Sequence, residues 1–204
     1  MGDVKAAVLR PTSGRVITIG FVALCALWLA GLLEEYGLGT TMRVLPWFGL
    51  LAWGAWAALW RPYVGVDDGG VTLVNVFRTV RLPWPAIQTV DTKWTLALVT
   101  PYGTYHAWAA PAPGARGAVR ADKGETRHLP ESTFSPEGIR PGDAPSTSSG
   151  QAAWLIREHW EELRDAGHLD DPRLEHERAP VEWHANVIAI GVAMLVLGCV
   201  GLVV

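Results

Sequence analysis

Arg78 and Arg81 are the residues whose type and spacing come nearest to binding chemistry in this chain of 204 residues. Two guanidiniums three positions apart can hold one phosphate of a lipid headgroup through charge-assisted hydrogen bonds. A headgroup with several phosphates needs more cations converging from adjacent strands. Residues 61–110 set Arg61, Arg78, Arg81 and Lys93 against Asp67, Asp68 and Asp91, a net charge of +1. That balance argues against phosphoinositide binding and suits arginines that solvate a hairpin. His106, His128, His159, His168, His176 and His184 lie eight or more positions apart, so none pairs with another at metal-ligand spacing. Asp67-Asp68 lacks the further carboxylates of a calcium loop and, with Gly69-Gly70, reads as a turn. Gly37-Leu38-Gly39 lacks the third glycine of a dinucleotide loop, and neither a Gly-x-Ser-x-Gly elbow nor a His-Glu-x-x-His helix is present. No catalytic, cofactor-binding or metal residue is assigned, and the expectation is a protein that is not an enzyme.

The elements that must position these residues begin with three uncharged apolar runs: 16–33, 44–60 and 185–204. Each approaches the roughly 17–25 residues that a helix needs to cross a bilayer. Trp47 and Trp60 sit near the ends of the second run and Trp183 just before the third, as interfacial rings do. Half of the residues are hydrophobic and 18% are charged, where soluble domains carry about 25%. A net charge of −3 excludes a basic nucleic-acid binder, and two cysteines, both inside apolar runs, exclude a disulfide scaffold. The first run exceeds a signal-peptide core and lacks a small-x-small cleavage site, so it reads as an uncleaved anchor. Lys5, Arg10 and Arg15 precede the first run, and Arg61, Arg78, Arg81, Arg173 and Arg178 flank the second and third. The connector 34–43 has Arg43 alone. The positive-inside rule therefore predicts a multi-pass plasma-membrane protein with 1–15 and 61–184 cytoplasmic and a transmembrane hairpin at 16–60.

Residues 61–110 alternate with period two between short turns and predict a meander of antiparallel strands. Trp84, Ile87, Trp94, Leu96 and Leu98 are expected on its buried face, with Trp108 and Trp154 as further aromatic filling. In 111–150, 20 of 40 residues are Pro, Gly, Ser or Thr, and the segment is expected to be a flexible linker. Ala152, Ile156, Trp160 and Leu163 form a helical stripe within 151–169, with Arg157, Glu158, Glu161 and Glu162 on the outer face. Ser148 is spaced as its N-cap, and Gly167 is placed to end it. This helix should close the open side of the sheet, with Ile156 and Trp160 in the core. An acidic juxtamembrane segment, 170–184, precedes the last span.

Arg61-Pro62-Tyr63 leaving a span, followed by Gly70-Val71, Asn75, Arg78-Thr79 and Leu82-Pro83-Trp84-Pro85-Ala86-Ile87, resembles the PH-domain-like small membrane proteins of actinobacteria. The resemblance covers about 50 residues and implies a compact pleckstrin-homology-like barrel after a transmembrane hairpin. The third span departs from that pattern. The fold class expected is three transmembrane helices with a small cytoplasmic antiparallel β-barrel or sheet closed by a C-terminal amphipathic helix. The function expected is an interaction module whose surface or edge strand meets an unidentified protein, soluble or integral, with the lipid bilayer as anchor. Two alternatives stay open. One is an accessory subunit packing through Ala52, Gly54 and Ala55 of the second run and Gly191, Gly198 and Gly201 of the third. The other is a weak lipid-headgroup sensor working through Arg78 and Arg81.

Overall fold

The computed structural model describes residues 7–113, Thr133, 141–169 and 179–203. These form two units: a helical one of Thr12–Pro62, Val76–Arg78 and Trp183–Val204, and a β-rich one of Met1–Pro11, Tyr63–Asn75 and Thr79–Glu182.

In the helical unit, α1 (Thr12–Ala55) runs on into a single π-type turn, Trp56–Trp60. Gly37 interrupts it with φ 75° and ψ 179°, a conformation open to glycine and strained for other residues. The two arms run back along each other. The Thr18 hydroxyl donates to the Gly14 carbonyl at 2.8 Å and reaches the Ala55 carbonyl at 3.4 Å, and Gly14 backs onto the Leu59 carbonyl. A Cβ at Gly14 would collide with that carbonyl, so glycine is what lets the arms meet there. The last helix, α3 in chain order (Ala185–Val203), lies antiparallel to the second arm. Gly191 seats the Trp53 ring, Gly198 the Trp47 ring, and Gly201 the backbone of Arg43. Among the described residues, two helices are long and apolar enough to cross a membrane, Thr12–Trp60 and Ala185–Leu202. Three separate helices were expected. The first two runs lie on the two arms of one kinked element, which the non-helical Gly37 separates.

The β-rich unit consists of two antiparallel sheets rather than one closed barrel. The first contains β1 (Ala7–Leu9), β2 (Tyr63–Asp67), β3 (Gly70–Val74), β4 (Arg78–Pro83) and β8 (Val181–Trp183), in that spatial order. The second contains β5 (Thr89–Asp91), β6 (Thr95–Thr100) and β7 (Gly103–Pro111). Pro83-Trp84-Pro85 separates them: proline cannot donate to a ladder, and the chain leaves β4 through a 3-10 turn, Trp84–Ala86. Asp67 closes the β2–β3 hairpin by accepting from the Gly69 and Gly70 N–H groups, which is the turn chemistry its sequence predicts. Register pairs Val64 with Leu73, Val66 with Val71, Leu73 with Val80 and Val71 with Leu82. This puts one apolar face of the first sheet in the core with Trp84, Ile87, Leu96, Leu98, Ala107 and Ala109.

The helix α2 (Ser148–Asp165) packs on the second sheet through Ala152, Ala153 and Ile156, all fully buried. Its cap is Thr147, one residue before the expected Ser148: the Gly150 N–H donates to Thr147 Oγ1 at 2.9 Å. At the other end Gly167 takes φ 71°. The His168 N–H returns to the Leu163 carbonyl and the Gly167 N–H to the Arg164 carbonyl, a Schellman closure.

Four expectations change. Trp94 is 80% exposed, not core. It would share a face with Leu96 and Leu98 only if β6 extended back to it, but β6 begins at Thr95 and Trp94 lies in the preceding bend. Trp108 is 60% exposed, because β7 alternates with Ala107 and Ala109 inward and His106 and Trp108 outward. Arg157, expected on the outer face of α2, is buried. The ends of the segments expected outside the domain join it: residues 7–9 become β1, 181–183 become β8, and 141–150 pack against the fold. The central part of the expected linker, 114–132 and 134–140, and the stretch 170–178 lie outside the described residues.

Candidate functional site

β4 positions both candidate arginines, and its period-two geometry separates them. Arg78 falls on the side of Val80 and Leu82, whereas Arg81 falls on the side of Thr79. Arg81 pairs with Glu182 of β8 at 3.3 Å, and its N–H donates to the Pro180 carbonyl at 3.4 Å. Arg78, half-buried at the start of the strand, has no carboxylate partner among the described residues. The two do not converge on one point.

A different cluster gathers where the helices end. Arg61 follows the last turn of the first helical element, and its Nη1 donates to the Val76 carbonyl at 2.9 Å. The same nitrogen lies 2.6 Å from His184 Nδ1. Because a guanidinium only donates, His184 accepts there. The His184 N–H donates to the Phe77 carbonyl at 2.8 Å. The β3–β4 turn is thereby tied to both helix ends. Around it, Trp183 is 64% exposed and Phe77 44%. None of these bonds is legible in the sequence, since Arg61, Val76 and His184 are far apart along the chain.

In the β-rich unit the sheet edges are covered by unlike devices. β1 and β8, three residues each, lie at the edges of the first sheet. In the second sheet, side chains from α2 approach the β5 side: Trp160 Nε1 donates to the Ile87 carbonyl at 2.9 Å and Arg157 Nη2 to the Val90 carbonyl at 2.7 Å. On β7, the Asn75 side chain donates to the His106 carbonyl and accepts from the Trp108 N–H, bonding the strand as a neighbouring backbone would. The exposed aromatic groups Trp94 and Trp108 flank the irregular β6–β7 pairing at Thr95, whose hydroxyl lies within bonding distance of the Ala107 and Ala110 carbonyls. His159, on α2, stacks edge-on against Trp84 at 4.8 Å between centroids. No group of three or more His, Cys, Asp or Glu suited to a metal ion occurs among the described residues.

A model of the bacterial PH domain covers the segment that runs from Arg61 through β2–β7. Residues 61–135 match that family. No curated protein and no solved structure matches the chain. The PH domain match agrees with the resemblance read from Arg61 to Ile87, and it includes β2–β7 but neither β1, β8 nor α2. Those three elements belong to the described fold but lie outside the matched range. Trp84 and Ile87 are core residues of the β-rich unit, as are Leu96, Leu98 and Ile156, while Trp160 is partly buried against that core.

Proposed function

We propose that this chain is a multi-pass membrane protein that holds a PH domain at the cytoplasmic face as a non-enzymatic module for binding a protein partner. The observation that carries the anchoring is the pairing of β1 with β2. The first precedes α1 and the second follows it, yet Val8 lies opposite Gly65 in one ladder. Both ends of the helical element therefore emerge on one side, and the number of crossings between them is even. Gly37 breaks the element into arms of about 35 Å each at 1.5 Å per residue, enough for two crossings of a ~30 Å core. With Ala185–Leu202 this makes three spans, and the basic flanks set the PH domain inside. PH-like domains serve generally as non-catalytic modules. Strand addition is disfavoured by the short β1 and β8 and by the side chains bonded along β5 and β7. Trp94, in the bend before β6, and Trp108, on β7, are large exposed aromatics and the partner surface that this reading selects.

A photo-crosslinking residue at 94 or 108 in the full chain in native membranes should give a discrete adduct lost on replacing the other tryptophan with Ser. Absence of any adduct at both positions would refute the partner surface. Impermeant thiol reagents should reach cysteines at Val8 and Asp68 from the same side and one at Gly39 from the other. Labelling of all three from one side would refute the spans.

The accessory-subunit reading keeps one supporting feature. The α3 glycines are spent on Trp47 and Trp53 within the chain, but Leu24, Leu27, Trp28, Gly31, Leu32 and Glu35 line an open groove on the first arm.

A further inference from the structure

We infer that the β3–β4 turn, Val76-Phe77-Arg78, is a membrane-surface anchor, seated in the phospholipid headgroup layer beside the helix ends. This rests on the membrane-spanning reading above and goes beyond it. Spans explain why the chain is held at a bilayer, whereas the turn, which belongs to the helical unit, adds a contact with the lipid surface beyond the spans.

Depth is the first argument. The Phe77 carbonyl accepts from His184, the residue immediately before the apolar helix that starts at Ala185. The Val76 carbonyl accepts from Arg61, the residue immediately after the apolar element that ends at Trp60. Both carbonyls of the turn are thus one hydrogen bond from the points where hydrocarbon-compatible sequence stops. A bilayer that buries those helices brings its headgroup layer to the level of the turn.

Chemistry is the second. The turn presents what an interface takes: an outward phenylalanine, Trp183 beside the same junction, and Arg78 with no carboxylate partner among the described residues. Rings of this kind settle at headgroup depth, and a guanidinium there meets lipid phosphate. Arg81, by contrast, is matched by Glu182 and stays outside the contact. The period-two separation of Arg78 from Arg81 spoils a convergent phosphate pocket. The occupant is therefore the surface of an anionic bilayer, engaged through two aromatic rings and one cation, not a headgroup enclosed in a pocket.

The test uses the full chain with Cys25 and Cys199 replaced by Ala. It is reconstituted in phosphatidylcholine–phosphatidylglycerol vesicles and labelled with an environment-sensitive fluorophore at one new cysteine: Phe77→Cys, Trp94→Cys or Val196→Cys. Val196 is an outward position on α3 and Trp94 an exposed position on the PH domain. The expected result is blue-shifted emission at 77 and 196, with loss of intensity when the lipids are brominated, and neither effect at 94. Quenching at 196 without quenching at 77 overturns the anchor and leaves the spans standing. Failure at both 77 and 196 overturns the spans and the anchor together. Equal quenching at 77 and 94 also overturns the anchor, because the whole domain rather than its turn would then meet lipid.

Discussion

Arg157 Nη1 and Asp143 Oδ1 meet at 2.7 Å with both side chains nearly sealed from solvent, 6% and 4% exposed. The guanidinium also donates to Thr133 Oγ1 and to the Val90 carbonyl, and Asp143 accepts from the Thr92 hydroxyl at 2.8 Å. This network fastens the chain before α2 to the second sheet. Single removal of a buried partner leaves a charge without compensation and costs about 3–5 kcal/mol. Arg157→Met should lose that much of the β-rich unit's stability, and Arg157→Met with Asp143→Leu clearly less. Urea unfolding of the full chain in detergent, followed by tryptophan emission, reads both. Equal losses would mean that the two groups are not coupled.

Two tryptophans that look alike in sequence should behave differently. Trp84 is buried among both sheets and donates its Nε1–H to the Asp67 carbonyl at 3.0 Å. Trp84→Ala is expected to cost about 3–5 kcal/mol, as large aromatic truncations in cores do. Trp94→Ala should stay within about 0.5 kcal/mol of the parent. The same unfolding measurement decides it, and Trp160→Ala should fall between the two, since that ring is half-buried with one hydrogen bond.

In the helical unit, a Cβ at Gly198 would stand 2.8 Å from the Trp47 ring, and one at Gly191 2.5 Å from Trp53. Gly198→Leu should therefore push α3 off the second arm, whereas Gly54→Leu, with nothing within 4 Å of the added Cβ, should not. Thermal melting in detergent should show a lower midpoint for the first and an unchanged one for the second. Trp47→Ala should restore part of the loss in Gly198→Leu by emptying the space the leucine needs.

Glu158 supplies a pH dependence. Desolvation, then the neighbouring Glu162 and Glu161, raise its carboxyl above the ordinary 4.5, against a smaller lowering by His159. A carboxyl raised in the folded state binds its proton more tightly there than in the unfolded chain. It therefore destabilises the fold above its folded value, and the penalty disappears as pH falls to the ordinary value. Glu158→Gln should stabilise the domain at neutral pH, with the gain vanishing below about the ordinary glutamate range. A gain that persists unchanged into acid would show that charge is not its cause.

Much of the fold was legible because it follows from local pattern. The strand alternation from Val64 to Leu98, the Asp67 turn, the chain-bending Pro83-Trp84-Pro85 and the glycine that ends α2 each act within a few residues of themselves. The apolar runs were legible for the same reason: length and lack of charge are properties of a contiguous segment. Arg78 and Arg81 could be found as cations whose odd spacing divides them between two faces, but the match of one to Glu182 could not, because it depends on β8 joining β4.

Sequence by itself determined which segments are apolar, which alternate and where they turn, and so the PH-like sheets and the helices that flank them. Tertiary structure alone decided what distant segments do to each other. It drew residues 7–9 and 181–183 into one sheet, buried Arg157 by bringing Asp143 to it, left Trp94 in water by starting β6 one residue late, and bound the β3–β4 turn to Arg61 and His184. The physical reason is one of range. Periodicity reports the environment averaged along a chain segment, whereas a buried ion pair or a tied turn depends on a single partner whose position is set by the packing of the whole.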